Sequence, residues 1–431
     1  KNMSAMFKNT ATASMASWTV GDLGSWDVSQ VEDMSFMFSG SGIESLAWTV
    51  GNLGYVDATH PGWDTKNVTN MESMFQNTAK NKATTSWTPG DIGSWNVGKV
   101  TSFLNMFNSA GYSASTWSIG NLGYVDNDHL GWNTVSVTNM SYMFYNAGYN
   151  SSNIDIGDIS SWKVGGVENM SYMFNNFGNR ATYWHIGSLS TWNTENVTNM
   201  SYMFYYAGYS VPTSWSIDVS TWNVKKVTTM SEMFRRAGYS AKQSFTLDVS
   251  NWETDSVTQL NSMFQDAGRS ATSWSIGTLD NWKTDKVTTM AAMFQSAGYT
   301  TRSWSVGNLS SWDTSSVKSF NSLFKEAGYN SSSFNLGNLG YVDNDHKGWQ
   351  TGTATDFRNV FEGCGHAASS WYVGDLSRWN VSSATNMSSM FRYAAFSAPA
   401  WNIGNLKDWD TSNVVTMDYM FEEFGYKIED W

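Results

Sequence analysis

Imidazoles and clustered carboxylates are the groups most able to do chemistry, and this chain gathers most of its few histidines in one kind of place. Of His60, His129, His185, His346 and His366, three fall in near-copies of one stretch: GYVDATHPGW from Gly54, GYVDNDHLGW from Gly123 and GYVDNDHKGW from Gly340. Asp126, Asp128 and His129, and again Asp343, Asp345 and His346, set two carboxylates and an imidazole side by side, a donor set for a divalent cation such as Ca²⁺. It is a thin set, because Ca²⁺ takes roughly six to eight oxygens, and the first copy keeps only Asp57 and His60. The same Asp side chains equally suit a turn in which they accept backbone amide hydrogens. Tyr55, Tyr124 and Tyr341, with Asp57 and His60, are the candidates for contact with a protein or a glycan. No other cofactor is expected.

Beyond these loops the chemistry thins out. His185 and His366 have no repeated acid or Ser partner, and Cys364 is the single cysteine, so neither a Ser-His-Asp nor a Cys-His site is indicated and no intrachain disulfide can form. The glycines recur without the strand-to-helix setting of a phosphate loop. No enzyme is expected. A formal charge of −12 argues against a nucleic-acid partner, which requires a basic face. No apolar run is long enough to span a membrane, so no membrane insertion by this segment is expected.

The elements that must position the loops are repeats. VTNMSYMF, residues 137–144, recurs with its final Phe at Phe7, Phe38, Phe75, Phe107, Phe144, Phe174, Phe204, Phe234, Phe264, Phe294, Phe324, Phe361, Phe391 and Phe421. The common step is 30 residues, and it lengthens to 37 where a loop is inserted, near residues 54–62, 123–131 and 340–348. Such a period denotes stacked units that each bury a face against their neighbours. The fold expected is an α/β repeat solenoid of about fourteen 30-residue coils, running as one domain from 1 to 431.

Within a coil, Met140, Met143, Phe144 and Ala147 follow the spacing of one face of a two-turn helix, with Thr138 or Asn139 as N-cap and Gly148 as C-terminal stop. The stretch Trp274–Thr284 alternates apolar and small polar residues about Gly277 and reads as one or two short strands. A Trp stands twelve residues before each later Phe, from Trp26 to Trp409, and a second aromatic column runs through Trp18, Trp48, Trp87 and Trp117 and tolerates Phe and Ile154. Fixed phase with core Val and Met places both columns in the core rather than on a sugar-stacking platform.

Two Thr columns, Thr65, Thr134, Thr194 and Thr69, Thr101, Thr138, raise ice binding as an alternative, although Glu32, Glu168 and Lys318 interrupt the second. Most of the eleven Asn-x-Ser/Thr sequons arise from the repeat itself, and Asn150 and Asn330 are the better candidates for glycosylation.

WDTSNVVTMDYMF from Trp409 and WNTENVTNMSYMF from Trp192 resemble the repeat of the BspA-like surface proteins, also called mycoplasma lipoprotein-type repeats. The resemblance covers essentially the whole chain. It implies a leucine-rich-repeat-like solenoid on a microbial cell surface, associated with adhesion and without catalytic residues. This chain departs in its longer unit, enlarged after the helix segment to forms such as AGYSASTW from Ala110. Lys1 and Trp431 both interrupt a repeat, so a segment of something longer is expected, with targeting and anchor signals elsewhere. The function expected is that of a nonenzymatic extracellular or cell-surface component. It would act as an adhesin or as a subunit of a filament or surface layer, with self-association or another surface protein or glycan as partner. A glycan- or ice-binding solenoid is the alternative.

Overall fold

A computed structural model describes residues 1–57, 59–60, 62–81, 84–124, 131–341, 343 and 348–426. The chain forms two compact units, Lys1–Val211 and Pro212–Trp431. Each is a β-solenoid in which every copy of the motif stacks on the next.

In the first unit the strands Trp18–Thr19, Trp48–Thr49, Ser86–Trp87 and Thr116–Trp117 pair in parallel, and Asn153–Asp155 pairs with Tyr183–His185. The second unit repeats the arrangement with Ser214–Ser216, Ser244–Thr246 and Ser273–Ser275, and with Ser333–Asn335 against Ser370–Tyr372. The register sets like on like, Trp18 beside Trp48 and Trp87 beside Trp117. On the other side of each turn single-residue parallel bridges run Asn70–Ser102–Asn139–Asn169–Asn199 in the first unit and Thr229–Gln259–Thr289 in the second.

The segment that closes each turn corrects the expectation from sequence. Met140, Met143, Phe144 and Ala147 are fully buried together, as their spacing predicts, but they lie on no α-helix. The amides alternate. Those of Met140, Tyr142, Phe144 and Asn146 donate to Asn169, Ser171, Met173 and Asn175 of the next turn at 2.9–3.0 Å, while those of Met143, Tyr145 and Ala147 donate three residues back at 3.0–3.3 Å. Keeping every second amide pointed at the neighbour forces Tyr142 and Asn146 to positive φ, 57° and 56°. The same two columns recur down both units, through Tyr172 and Asn176 in the first and Ser262 and Asp266 in the second.

The energetics explain the preference. A left-handed non-glycine residue costs about 1–2 kcal/mol. Against two of these stand four inter-turn hydrogen bonds, each worth about 0.5–1.5 kcal/mol net, and an aromatic stack worth a similar amount. A two-turn helix is marginal in isolation and would satisfy its own amides, leaving neighbouring turns joined only by side chains along this side of the solenoid. The α/β class and its fourteen helix-bearing coils therefore give way to a β-solenoid of stacked repeats with almost no helix. The only helical pieces among the described residues are the short 3₁₀ turns Ile92–Ser94, Ile159–Ser161 and Leu406–Asp408.

Stacking turns each sequence column into a ladder. Phe107, Phe144 and Phe174 stack at 5.4 and 5.6 Å between ring centres with planes within 6°. Phe234, Phe264 and Phe294 repeat this at 5.7 Å in the second unit. Trp132, Trp162 and Trp192 form a parallel ladder, and each indole N–H reaches the preceding turn, as from Trp162 to the carbonyl of Leu122 at 3.1 Å and from Trp252 to that of Val219 at 2.9 Å. Both aromatic columns are thus core, with Trp26 and Trp409 partly exposed. Gly148, at φ +52°, is required twice over: a Cβ there would meet the Trp117 ring at 2.9 Å.

The left-handed column supplies a direct check. Ala292 sits at φ +56° with its amide bonded to Asn321 of the next turn. In a helix, Ala292→Gly would lower stability by about 1 kcal/mol. Here it is expected to leave stability unchanged or raise it by up to about 1 kcal/mol, read as the urea midpoint of the purified variant.

Candidate functional site

The three insertions fall at the same point of the repeat, and their bases are built alike. In an ordinary turn the amide of the ladder Trp folds back three residues, as from Trp95 to Ile92 at 3.1 Å. At an insertion the same amide bonds instead to the Leu ten residues before it: Trp63 to Leu53 at 3.0 Å, Trp132 to Leu122 at 3.0 Å, Trp349 to Leu339 at 2.9 Å. That Leu carbonyl also receives the indole N–H of the following turn, from Trp95, Trp162 and Trp379 respectively, at 3.0–3.1 Å. The insertion leaves the core ladder untouched. At the first neck Gly54 passes so close to the carbonyl of Asp91 that no side chain fits.

Inside the first loop, Asp57 organises a small turn. Its Oδ1 accepts from the Thr59 amide at 2.8 Å, the Thr59 hydroxyl at 2.6 Å, the His60 amide at 3.0 Å and His60 Nδ1 at 3.3 Å. The bond from the Thr59 hydroxyl, reinforced by the backbone and by His60, lowers the carboxyl to about 2. This is an Asx turn, with both side chains exposed. Tyr55 and Tyr124 are exposed, at 40% and 50%, and Tyr341 is half-buried.

The other nominated ligands are not brought together here. Asp126, Asp128, His129, Asp345 and His346 lie outside the described residues, and Asp343 is exposed. Among the described residues no three His, Cys, Asp or Glu side chains converge as a metal-holding group.

Elsewhere the structure both adds and removes candidates. His185 does have an acidic partner: its Nδ1 lies 3.0 Å from Asp155 Oδ1 on the neighbouring strand. The pair is invisible in local sequence because 30 residues separate its members. His366 is stacked between Tyr329 and Phe396, 4.4 Å from each, as one step of a half-exposed aromatic column. Cys364 is fully buried, and burial pushes its thiol far above the ordinary range, leaving it inert. Thr65, Thr134 and Thr194 are buried, the first two donating to carbonyls of the next turn at 3.0 and 3.1 Å, so this Thr column forms no surface. Thr69, Thr101, Thr138 and Thr198 do reach solvent, with hydroxyls directed at backbone carbonyls of the preceding turn. Asn330 is exposed and Asn150 half-buried. No helix among the described residues is long and apolar enough to cross a membrane.

Parallel one-residue rungs, stacked aromatic ladders and loops grafted at a constant neck define a β-solenoid repeat protein. The chain belongs to the family described as Mycoplasma protein of unknown function, DUF285. The family profile matches it in overlapping stretches, residues 1–122, 45–184, 119–237, 148–275, 177–300, 209–335, 239–366, 269–400 and 331–431. No curated protein and no solved structure matches it.

The Asp57 turn gives a pH dependence of definite sign. With the carboxyl held below its ordinary value of 3.8, the turn is fully formed above about pH 4 and is lost as pH falls toward 2. The Thr59 amide resonance is expected to move with a midpoint near 2. In Thr59→Ala, which removes the strongest bond, that midpoint rises toward the ordinary carboxylate value.

Proposed function

We propose that the chain is a nonenzymatic component of a cell surface that works as an adhesin, in the manner of the BspA-like proteins its repeat resembles, with one solenoid turn for each sequence repeat. The observation that carries this reading is the neck shared by the three loops. A scaffold whose backbone amides, ladder-Trp indoles and aromatic faces are already engaged between turns has little left for chemistry, and it offers loops on a rigid base. Rigid presentation lowers the ordering cost of binding, and exposed Tyr is the side chain best suited to contact proteins and sugars. The exposed positions on the turns are neutral or acidic for the most part, in keeping with an extracellular partner surface rather than a nucleic acid. Presentation on this ladder needs no metal, and Asp57 acts in it as a turn former.

Adherence of labelled full-length chain to immobilised matrix proteins and host glycans tests the reading. The double variant Tyr55→Ala, Tyr124→Ala is expected to lower adherence several-fold while leaving the melting temperature unchanged, since both rings are exposed. Adherence that is absent in the parent chain, or unaltered in the variant, contradicts it.

A further inference from the structure

The repeat itself marks one position as anomalous. The residue just before the ladder Trp is small or a neutral polar residue in most turns, for example Ser94, Ser161, Asn251, Asn281 and Ser311. At Arg378 this column carries its only cation. Scaffold packing does not account for it: Trp379 makes its usual bonds, from the amide to Leu376 at 2.9 Å and from the indole to Leu339 at 3.0 Å. Arg378 is exposed, and no carboxylate pairs with it among the described residues.

What Arg378 does contact is the third loop. Its guanidinium lies 4.2 Å from the centre of the Tyr341 ring. The two side chains form one wall of a groove of about 460 Å³, walled otherwise by Ser315, Gln350, Thr353 and Asn380 over the buried ring of Trp349. A ring on one face of a guanidinium holds it in place and leaves its edge N–H groups free for a planar anion, which they grip with two parallel bonds. The remaining groups are neutral and closely spaced. Asn380 Oδ1 is occupied by the amide and hydroxyl of Ser382, at 3.1 and 2.7 Å, which leaves its N–H₂ to donate. The Thr353 hydroxyl shares its one proton between the carbonyls of Ser315 and Val317, both at 2.8 Å, which leaves its lone pairs to accept.

One cation among neutral donors and acceptors, in a chain of net charge −12, suits a ligand with one carboxylate and several hydroxyls better than a multiply charged phosphate, which the surrounding field repels. A groove at the first loop, set against the preceding turn, makes the contrast. That groove, of about 350 Å³, is lined by Asp27, Asp64, Thr59 and His60, and Ser94 stands in the Arg378 column.

We infer that the groove between Tyr341 and Arg378 binds a carboxylate-bearing sugar, of the uronic or sialic acid class. The inference rests on the adhesive reading and gives it a ligand class. Titration calorimetry of the full chain with sialyllactose, trigalacturonic acid and a hyaluronan tetrasaccharide, with lactose as neutral control, tests it. At least one acidic sugar is expected to bind about tenfold or more tighter than lactose. Arg378→Gln removes that advantage with the melting temperature and the affinity for lactose unchanged, and Arg378→Lys restores part of it. Three acidic sugars binding no tighter than lactose, or an Arg378→Gln variant that binds them like the parent, overturns the inference. Adherence measured in parallel separates the two readings. Parent and Arg378→Gln adhering equally removes the groove and leaves the adhesin. A parent that binds acidic sugar through Arg378 yet adheres to nothing sustains the groove and removes the adhesin.

Discussion

Everything in this molecule depends on where the backbone amides of the Met-Phe segment point. In the segment from Met140 to Ala147 one amide turns back to close a local turn and the next reaches across to the neighbouring repeat. That alternation locks the rise between turns to a hydrogen-bond length and so brings Phe144 to within 5.4–5.6 Å of Phe107 and Phe174. Ring stacking, indole-to-carbonyl bonds and buried Thr-to-carbonyl bonds are consequences of that spacing, because each works only if like residues arrive at the same height. The cost is two left-handed residues in each turn, as at Tyr142 and Asn146, whose side chains are half-buried.

Much of this was legible in sequence. The Phe, Met, Trp and Val columns identified a stacked repeat and named the core residues, because burial is governed by which residues recur in phase, whatever backbone carries them. The absence of a helix was not legible for the same reason. Spacings of 0, 3, 4 and 7, as in Met140, Met143, Phe144 and Ala147, describe which side chains share a face, and a chain of overlapping turns with alternate amides reversed satisfies them equally well. What separates the two is the partner of each amide, which lies 29 residues away. The signal that could have distinguished them is the mixed character of the left-handed columns. Gly40 and Gly363 stand at the position that Asn146 and Asn176 also occupy, and Gly and Asn are the residues that tolerate positive φ.

The candidate site was half legible. Three near-identical insertions announced themselves by length, and the Asp57 turn follows from residue type. The Asp155–His185 pair and the Tyr341–Arg378 contact did not announce themselves, since each joins residues from different turns. In a repeat protein the informative unit is the column, and a single departure within a column, such as Arg378 among serines and asparagines, says more than a local motif. The Thr columns teach the converse. Two series of the same residue type, four positions apart, have opposite fates: Thr134 is buried in the core and Thr138 lies at the surface.

The neck of the loops has an evolutionary consequence. Because the carbonyls of Leu53, Leu122 and Leu339 accept the same two bonds whatever lies between them and the next Trp, loop length is uncoupled from the scaffold. A gene of this kind can gain, lose or exchange such segments by recombination between repeats with its folding signals intact. Variation in the loops is thereby separated from the risk of unfolding, and each turn of the ladder is a vacant socket for the next loop.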